Sequence, residues 1–160
     1  GHPDHPVVSL TAHDWLHSAR APWNQRQIRT GEGYQSAKAG KKTEHRGHWA
    51  IKALKRGPYT VSLRRWPAEA DHPIAAGLPP GGNVPGAAKA FRAHEGRAIP
   101  IVSAALRLDG KTIATAAVPD QATHVDFDCE LSEGSHTLAG VFMDGEGNEV
   151  GAYYLIVTSR

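Results

Sequence analysis

The sequence contains a single cysteine, Cys129, and no long apolar run. One thiol leaves no internal disulfide, so the fold does not depend on oxidation. No segment approaches the roughly 18 apolar residues that a membrane-spanning helix needs. The formal net charge at pH 7 is only +2, whereas a nucleic-acid interface needs a concentrated basic surface. We therefore expect partners that are neither membranes nor nucleic acids.

Helical periodicity is also scarce, and in its place apolar and polar residues alternate. A period of two is typical of half-buried strands, and it recurs in HWAIKALK, PYTVSLRRW, IVSAALRL, KTIATAAV, HVDFDCEL, HTLAGVFM and AYYLIVTS. Turn residues separate these segments, and Asp109-Gly110 is typical of a two-residue hairpin. About eight or nine short strands at even spacing predict an all-β fold, an antiparallel β-sandwich or jelly roll with long loops. A length of 160 residues predicts a single domain over 1–160.

The segment HDWLH places His13 and His17 four residues apart, with Asp14 directly after the first. The segment differs from the H-E-x-x-H signature of zinc proteases in having an aspartate, shorter by one methylene, in place of the glutamate. That signature works only on a helix, because residues i and i+4 must point the same way. The preceding PVVSLTA is typical of a strand, Pro22 follows closely, and no third ligand stands at the expected spacing. We predict a strand that ends in a loop here, and no metal site.

Other catalytic or metal signals are equally incomplete. DGEGNE supplies Asp144, Glu146, Asn148 and Glu149 as oxygen ligands for calcium, but a tight hairpin explains the same residues. The sequence has no G-x-S-x-G elbow and no phosphate-binding G-x-x-x-x-G-K-[ST] loop. Cys129 shares strand parity with core-type residues, so we expect an inert thiol that packs inside. The sequence therefore predicts no catalytic residue and no cofactor in this chain.

Binding residues are better represented, because long loops on a rigid sandwich are where such domains carry ligands. The longest predicted loops are TGEGYQSAKAGKKTEHRG and AAGLPPGGNVPGAAK. Tryptophan rings offer flat apolar faces to sugars, and arginines offer paired donors to sulfate or carboxylate. The candidate ligand-binding residues are Trp15, Trp23, Asn24, Gln25, Arg29, Arg64 and Trp66. For each aromatic among them core packing is the competing explanation, and Arg64 and Arg65 point to opposite faces of their strand.

Four short motifs follow one another along the chain: H-D-W, P-W-N-Q, L-R-R-W-P-x-E and a closing G-A-Y-Y. Their order resembles the C-terminal β-sandwich region behind the catalytic domain of bacterial arylsulfatase-type sulfatases, especially those of planctomycetes. The resemblance extends over nearly the whole chain and is weakest over 78–97. It implies that the chain is a piece excised from a longer sulfatase-like protein. The compartment of the chain stays open, while such a parent is expected to be periplasmic or secreted.

The resemblance also implies what this chain lacks. Sulfatases hydrolyse sulfate esters with calcium and with a formylglycine that matures from a C/S-x-P-x-R motif, both in the catalytic domain. Here Cys129 is followed by Glu-Leu-Ser-Glu, without the required proline and arginine. We therefore expect this chain to be non-catalytic by itself, and we expect calcium and formylglycine in the parent enzyme.

The main hypothesis is a non-catalytic accessory domain of a sulfatase-like hydrolase, with the catalytic sulfatase domain as its partner in cis. In that role the loop around Trp15 and Trp23 faces the substrate cleft. Asn24, Gln25 and Arg29 then orient a sulfated sugar or aryl sulfate, and a sulfated polysaccharide is a further expected partner. The alternative is an independent carbohydrate-binding module. A third hypothesis is an interdomain spacer that binds no ligand.

Overall fold

Nine strands, two short α-helices and two 3-10 turns (Ala12–Asp14 and Ala68–Ala70) make up the regular structure of the residues described. The computed structural model describes residues 2, 4–16, 21–22, 24–40, 46–82, 84–86 and 92–160. The strands are β1 (Val7–Thr11), β2 (Trp49–Ala53), β3 (Gly57–Arg64), β4 (Ile101–Leu108), β5 (Lys111–Ala117), β6 (Val125–Leu131), β7 (Gly134–Asp144), β8 (Glu149–Gly151) and β9 (Tyr154–Ser159). The α-helices are α1 (Gln25–Arg29) and α2 (Glu32–Lys38). Neither of these described helices has the length and apolar character that crossing a membrane requires.

The strands form two antiparallel sheets that pack face to face. One sheet has the order β1-β9-β3-β6, and the other has the order β2-β7-β4-β5, with β8 paired to β7. The first and last strands are neighbours, since Val7 pairs with Thr158 and Thr11 pairs with Tyr154. This arrangement confirms the predicted antiparallel β-sandwich.

The core lies between the two sheets, and alternation along the strands selects its residues. On β3, Tyr59, Val61 and Leu63 are at most 2% exposed, as their parity predicts. Gly140 on β7 faces Leu63 closely, because a Cβ added at this glycine would lie 2.7 Å from Leu63 Cδ2. Burial of each large apolar side chain contributes about 1.5–3 kcal/mol relative to exposure. The contact between the sheets is therefore a main source of stability.

Trp49 and Cys129 test two further core predictions. Trp49 is 2% exposed, and its Nε1 donates to the carbonyl of Thr11 at 2.7 Å, which confirms its place in the core. Cys129 is half-buried, lies opposite Tyr59 and packs against the core. Burial raises the pKa of the Cys129 thiol, so the thiol stays protonated and unreactive at neutral pH.

Both predicted hairpins are present. Asp109 and Gly110 connect β4 to β5 with φ values of 49° and 78°, the left-handed conformation that a two-residue turn requires. In the β7–β8 loop, Asp144 Oδ1 accepts the backbone N–H groups of Glu146 at 2.9 Å and Asn148 at 2.8 Å. Burial alone would raise the pKa of Asp144, but its hydrogen bonds lower it to about 2. The carboxylate suggested as a calcium ligand thus closes a hairpin.

The two short helices differ from the prediction, which placed a loop over TGEGYQSAKAGKKTEHRG. Helix α1 begins after Asn24, whose side chain accepts the backbone N–H of Gln27 at 3.4 Å. Helix α2 lies inside the predicted loop, and its Tyr34 is 4% exposed and donates to Asp144 Oδ2 at 2.9 Å. Helices of five and seven residues have little stability of their own. Such capping and tertiary contacts therefore decide their formation, and helical periodicity does not reveal them.

The backbone of the HDWLH segment follows the predicted end of a strand, as far as the described residues extend. Strand β1 ends at Thr11, Ala12–Asp14 form one 3-10 turn, and Leu16 then pairs with His48. The backbone through Leu16 is therefore not the α-helix that a zinc motif needs. His17 lies outside the described residues.

Candidate ligand-binding cleft

A cleft of about 320 Å³ opens between helix α1, the segment 66–70 and the loop that contains Leu78 and Arg92. Three candidates chosen from the sequence, Gln25, Arg29 and Trp66, line it together. Cavities of this size are at the lower end of those that hold small ligands. The structure therefore brings part of the predicted site to one place.

The cleft combines an apolar wall with polar side chains at its rim. Trp66 lines the cleft but is only 2% exposed, so the open apolar surface comes from half-buried residues such as Leu78. The side chains of Gln25, Glu69 and Arg92 are exposed. No hydrogen bond or ion pair joins these three polar side chains to another residue in the described part of the chain. They are the groups of the cleft that remain available to a ligand.

Arg29 lines the cleft, but its guanidinium is already used by the fold. The residue is 6% exposed, and its Nη1 donates to the carbonyls of Pro79 at 2.9 Å and His94 at 3.2 Å. Burial and then the positive charge of Arg92 lower the pKa of Arg29. Arg29 thus ties the loop to helix α1, whereas the sequence predicted that it would orient a ligand directly.

Trp66 and Arg65 hold the neighbouring segment in a similar way. Trp66 is 2% exposed, and its Nε1 donates to the carbonyl of Ala76 at 3.1 Å. Arg65 is fully buried, and its guanidinium donates to the carbonyls of Ile74 at 3.1 Å and Arg97 at 2.6 Å. The guanidinium carbon lies 4.3 Å from the centroid of the Trp66 ring, which is cation–π distance. These two side chains therefore fix the wall of the cleft.

Arg65 is a structural residue that the sequence candidates missed. The signal was the doubled arginine at the end of β3, since adjacent strand residues face opposite sides and one of the two points inward. Burial lowers the pKa of Arg65 to about 10, while the phenol of Tyr153 acts in the opposite direction, so the guanidinium is charged at neutral pH. A buried charge is tolerated when hydrogen bonds compensate for lost water. Backbone carbonyls provide that compensation here.

The side chains of two other candidates, Trp15 and Asn24, make contacts within the fold. Trp15 is 7% exposed, stacks with Tyr153 at a centroid distance of 5.6 Å and meets Trp49 edge-on. It is therefore a core residue, which is the competing explanation that the sequence left open for each aromatic candidate. Asn24 uses its side chain to cap helix α1.

The last two candidates are Arg64 and Trp23. Arg64 is half-buried, and its Nη2 lies 3.3 Å from His124 Nδ1. It lines a smaller cavity of about 160 Å³ that shares Glu69 with the main cleft. Trp23 lies outside the described residues, so its predicted role in ligand binding stays a prediction.

Two residues that the sequence did not single out, Glu69 and Tyr154, complete the cleft, and like the candidate Gln25 each ends a quoted motif. Glu69 ends L-R-R-W-P-x-E, Tyr154 ends G-A-Y-Y, and Gln25 ends P-W-N-Q. All three line the cleft, although they are far apart along the chain. Burial and then the charge of Glu69 raise the pKa of Tyr154, so its hydroxyl stays protonated and able to donate.

A second cavity, of about 380 Å³, lies beside Glu149. Arg46 and Arg107 both donate to the Glu149 carboxylate, with Arg107 Nη1 at 3.2 Å from Oε2. Burial alone would raise the pKa of Glu149, but the hydrogen bonds from the two arginines lower it. Because these charges already satisfy one another, we regard the cleft beside Trp66 as the better candidate site.

Comparison with known proteins yields no match to a protein-family model and none to a curated protein. Among solved structures, a CBM35 domain from Cellvibrio japonicus is 14% identical at a TM-score of 0.41, over 71% of this chain and 64% of that chain. A family 35 carbohydrate-binding module from Clostridium thermocellum is 11% identical at 0.40, over 71% and 68%. A GH26-CBM35 β-1,4-mannanase from Podospora anserina is 10% identical at 0.45, over 96% and 27%.

This chain corresponds to only part of the proteins to which it is similar. The chain spans less than two thirds of the Cellvibrio japonicus module and about a quarter of the mannanase. The sandwich architecture of this chain is established by its own two antiparallel sheets. None of the three structures is described as a sulfatase.

Proposed function

We propose that this chain is a carbohydrate-binding domain and that the cleft beside Trp66 holds the sugar. The observation that supports this most is the pairing of an apolar wall with the unpartnered side chains of Gln25, Glu69 and Arg92. This proposal corresponds to the alternative expected from the sequence, an independent carbohydrate-binding module.

The chemistry of the cleft suits a sugar ring. A pyranose has an apolar face, formed by its C–H groups, that packs against aromatic and aliphatic walls, and hydroxyls that need both donors and acceptors. The Gln25 amide both donates and accepts, the Glu69 carboxylate accepts, and the Tyr154 hydroxyl donates. A volume of about 320 Å³ holds one or two sugar rings, so the cleft would bind a short stretch of a longer chain.

An anionic substituent on the sugar is the further part of the proposal. The exposed guanidinium of Arg92 is close enough to Arg29 for its charge to lower the Arg29 pKa. A sulfate or carboxylate would relieve this repulsion and bind Arg92 through paired donors. A sulfated polysaccharide, the ligand expected from the motif order, is therefore our proposed partner.

The domain's relation to an enzyme is also a proposal. The order of the four motifs supports an accessory role beside a catalytic sulfatase domain in cis. Calcium and formylglycine would then belong to that partner, and sulfate ester hydrolysis would not occur in this chain. The carbohydrate-binding proposal does not depend on this relation, because the cleft residues all belong to this chain.

Calorimetric titration of the chain with dextran sulfate and with unsulfated dextran tests both the binding of carbohydrate and the preference for an anionic substituent. We expect binding of the sulfated polymer, and about tenfold weaker binding after Arg92→Gln, equivalent to about 1.4 kcal/mol. Arg56→Gln removes another exposed arginine, between β2 and β3, and it controls for general attraction to a polyanion. Equal losses in the two variants would reject the anionic subsite. Absence of binding to a wide panel of sulfated and neutral polysaccharides would reject the carbohydrate function.

A further inference from the structure

Three side chains from separate turns and strands meet at one end of the sandwich, away from the cleft. His136 Nδ1 lies 2.9 Å from Asp109 Oδ2, and His136 Nε2 lies 3.2 Å from Ser132 Oγ. A carboxylate, an imidazole and a hydroxyl hydrogen-bonded in this order form the arrangement that makes a serine hydroxyl nucleophilic. The carboxylate keeps a proton on Nδ1, which leaves Nε2 to accept the hydroxyl proton.

The carboxylate of this group is held firmly. Asp109 occupies the β4–β5 turn, and its Oδ1 accepts the backbone N–H of Thr137 at 2.8 Å. The Asp109 backbone N–H donates to the Thr137 carbonyl at 2.8 Å. Oδ2 is therefore fixed toward His136, as a residue that orients a base must be.

His136 has two hydrogen-bonding states. Its Nε2 also lies 3.0 Å from the Ser132 carbonyl, to which the protonated ring donates. The neutral ring, with its proton on Nδ1, instead accepts from the Ser132 hydroxyl. The imidazole side chain is 11% exposed, whereas Ser132 is an exposed turn residue. The Ser132 hydroxyl is thus accessible while the His136 ring is sheltered.

An apolar groove adjoins this group. Ile51 on β2 is the sheet partner of His136, and Leu131 directly precedes Ser132. Both residues line a cavity of about 210 Å³, together with Val8 and Tyr59. Directly paired residues on neighbouring antiparallel strands have side chains within contact distance. The groove is thus connected to Ser132 and His136 through their neighbours Leu131 and Ile51, and a short apolar acyl chain in it would extend toward Ser132.

We propose that Ser132 is the nucleophile of an acyl-transfer site, with His136 as general base and Asp109 as positioning residue. The substrate class is an activated ester of a short apolar acid. Ser132 Oγ attacks the carbonyl carbon while His136 Nε2 takes the hydroxyl proton. The bond from that carbon to the leaving oxygen breaks, and the alcohol departs with the proton. Water then attacks the acyl-serine, again with His136 as base, which releases the acid and restores the hydroxyl.

Acylation by p-nitrophenyl acetate and p-nitrophenyl butyrate tests the proposal, with the adduct located by peptide mass spectrometry. We expect an acyl group on Ser132 and its loss in Ser132→Ala. His136→Gln should slow acylation about 100-fold, the typical contribution of a general base. The matched control is Ser135→Ala, an exposed serine on the same hairpin, which should acylate like the parent chain.

The variant Asp109→Asn tests whether Asp109 acts on His136 or only stabilises the fold. The amide lacks the charge that stabilises the imidazolium, so acylation should be slower and its pH profile should shift to lower pH, with an unchanged circular dichroism spectrum. A slower rate with an unshifted profile would remove Asp109 from the proposal. Acyl groups found only on lysines or the terminal amine, or an unchanged rate in Ser132→Ala, would overturn the site as a whole. Neither result bears on sugar binding in the cleft.

Discussion

Trp15 and Tyr153 stack with ring centroids 5.6 Å apart and planes inclined by 30°. This contact joins the H-D-W motif near the start of the chain to the G-A-Y-Y motif near its end. Tyr154, the next residue, lines the cleft with Trp66 and Gln25. Residues from all four quoted motifs therefore meet in one region, in which buried Trp15 packs beside the cleft lining.

Trp15→Ala should destabilise the fold strongly. Removal of a buried aromatic ring costs about 3–5 kcal/mol, because the contacts are lost and a cavity remains. Urea unfolding measures the change. Leu16→Ala is the control, since this leucine side chain is 44% exposed and its loss should change stability by about 0.5 kcal/mol or less. Loss of sugar binding in Trp15→Ala with stability unchanged would instead support a direct ligand role.

Arg65→Ala should also lower stability. The substitution leaves the carbonyls of Ile74 and Arg97 without their donor, and an unsatisfied buried group costs about 1–3 kcal/mol. We expect a loss of about 2 kcal/mol or more in urea unfolding. Arg56→Ala, at an exposed turn position, should be nearly neutral. Equal stabilities of these two variants would contradict the role assigned to Arg65.

Arg29→Lys distinguishes loop support from direct ligand contact. Lysine keeps the charge but lacks the guanidinium fork that reaches several carbonyls at once. We expect faster hydrogen exchange at Gly81 and Gly96, whose N–H groups donate within the supported loop to Arg92 and Leu78. Amides of strand β3 provide the internal reference. Unchanged exchange together with weaker sugar binding would favour the ligand role that the sequence predicted.

The pair of His136 and Asp109 should make stability depend on pH in a defined window. Its hydrogen bond to Asp109 raises the pKa of His136 above 6.5, and the same bond is the largest of those that lower the pKa of Asp109 below 3.8. The contribution of the histidine is complete below pH 6.5 and is lost as pH rises through its folded-state pKa. The contribution of the aspartate is present above pH 3.8 and is lost as pH falls through its own folded-state pKa.

The unfolding midpoints of the parent chain and His136→Gln, measured across this range, give the test. Their difference should be greatest between these two limits and should decrease toward alkaline pH. A difference that is constant with pH would mean that the His136 ring contributes by packing alone.

Much of the fold could be predicted because its signals are local. Alternation identified the strands, and strand parity placed Tyr59 and Trp49 in the core. Asp109-Gly110 specified its hairpin through the positive φ that these residues tolerate. Helices α1 and α2 were missed, since they are too short for periodicity and depend on the Asn24 cap and the Tyr34–Asp144 hydrogen bond.

The candidate site was predictable only in part. Residue chemistry drew attention to Gln25, Arg29 and Trp66, which all line the cleft, and their predicted role in ligand binding stays a prediction. It did not distinguish a side chain that faces a ligand from one that binds the backbone, as Arg29 does with the Pro79 carbonyl at 2.9 Å. The meeting of Ser132, His136 and Asp109 was not expected, because no short motif contains them.

The sequence by itself determined the strand pattern, the tight turns and the inward parity of the core, because each follows from the conformation of a few adjacent residues. Only the tertiary structure decided which polar side chains are free. The guanidinium of Arg65, for example, donates its N–H groups to the carbonyls of residues that lie 9 and 32 positions further along the chain. Folding brings these carbonyls beside it. That outcome depends on the packing of the whole chain, and no local pattern of residues records it.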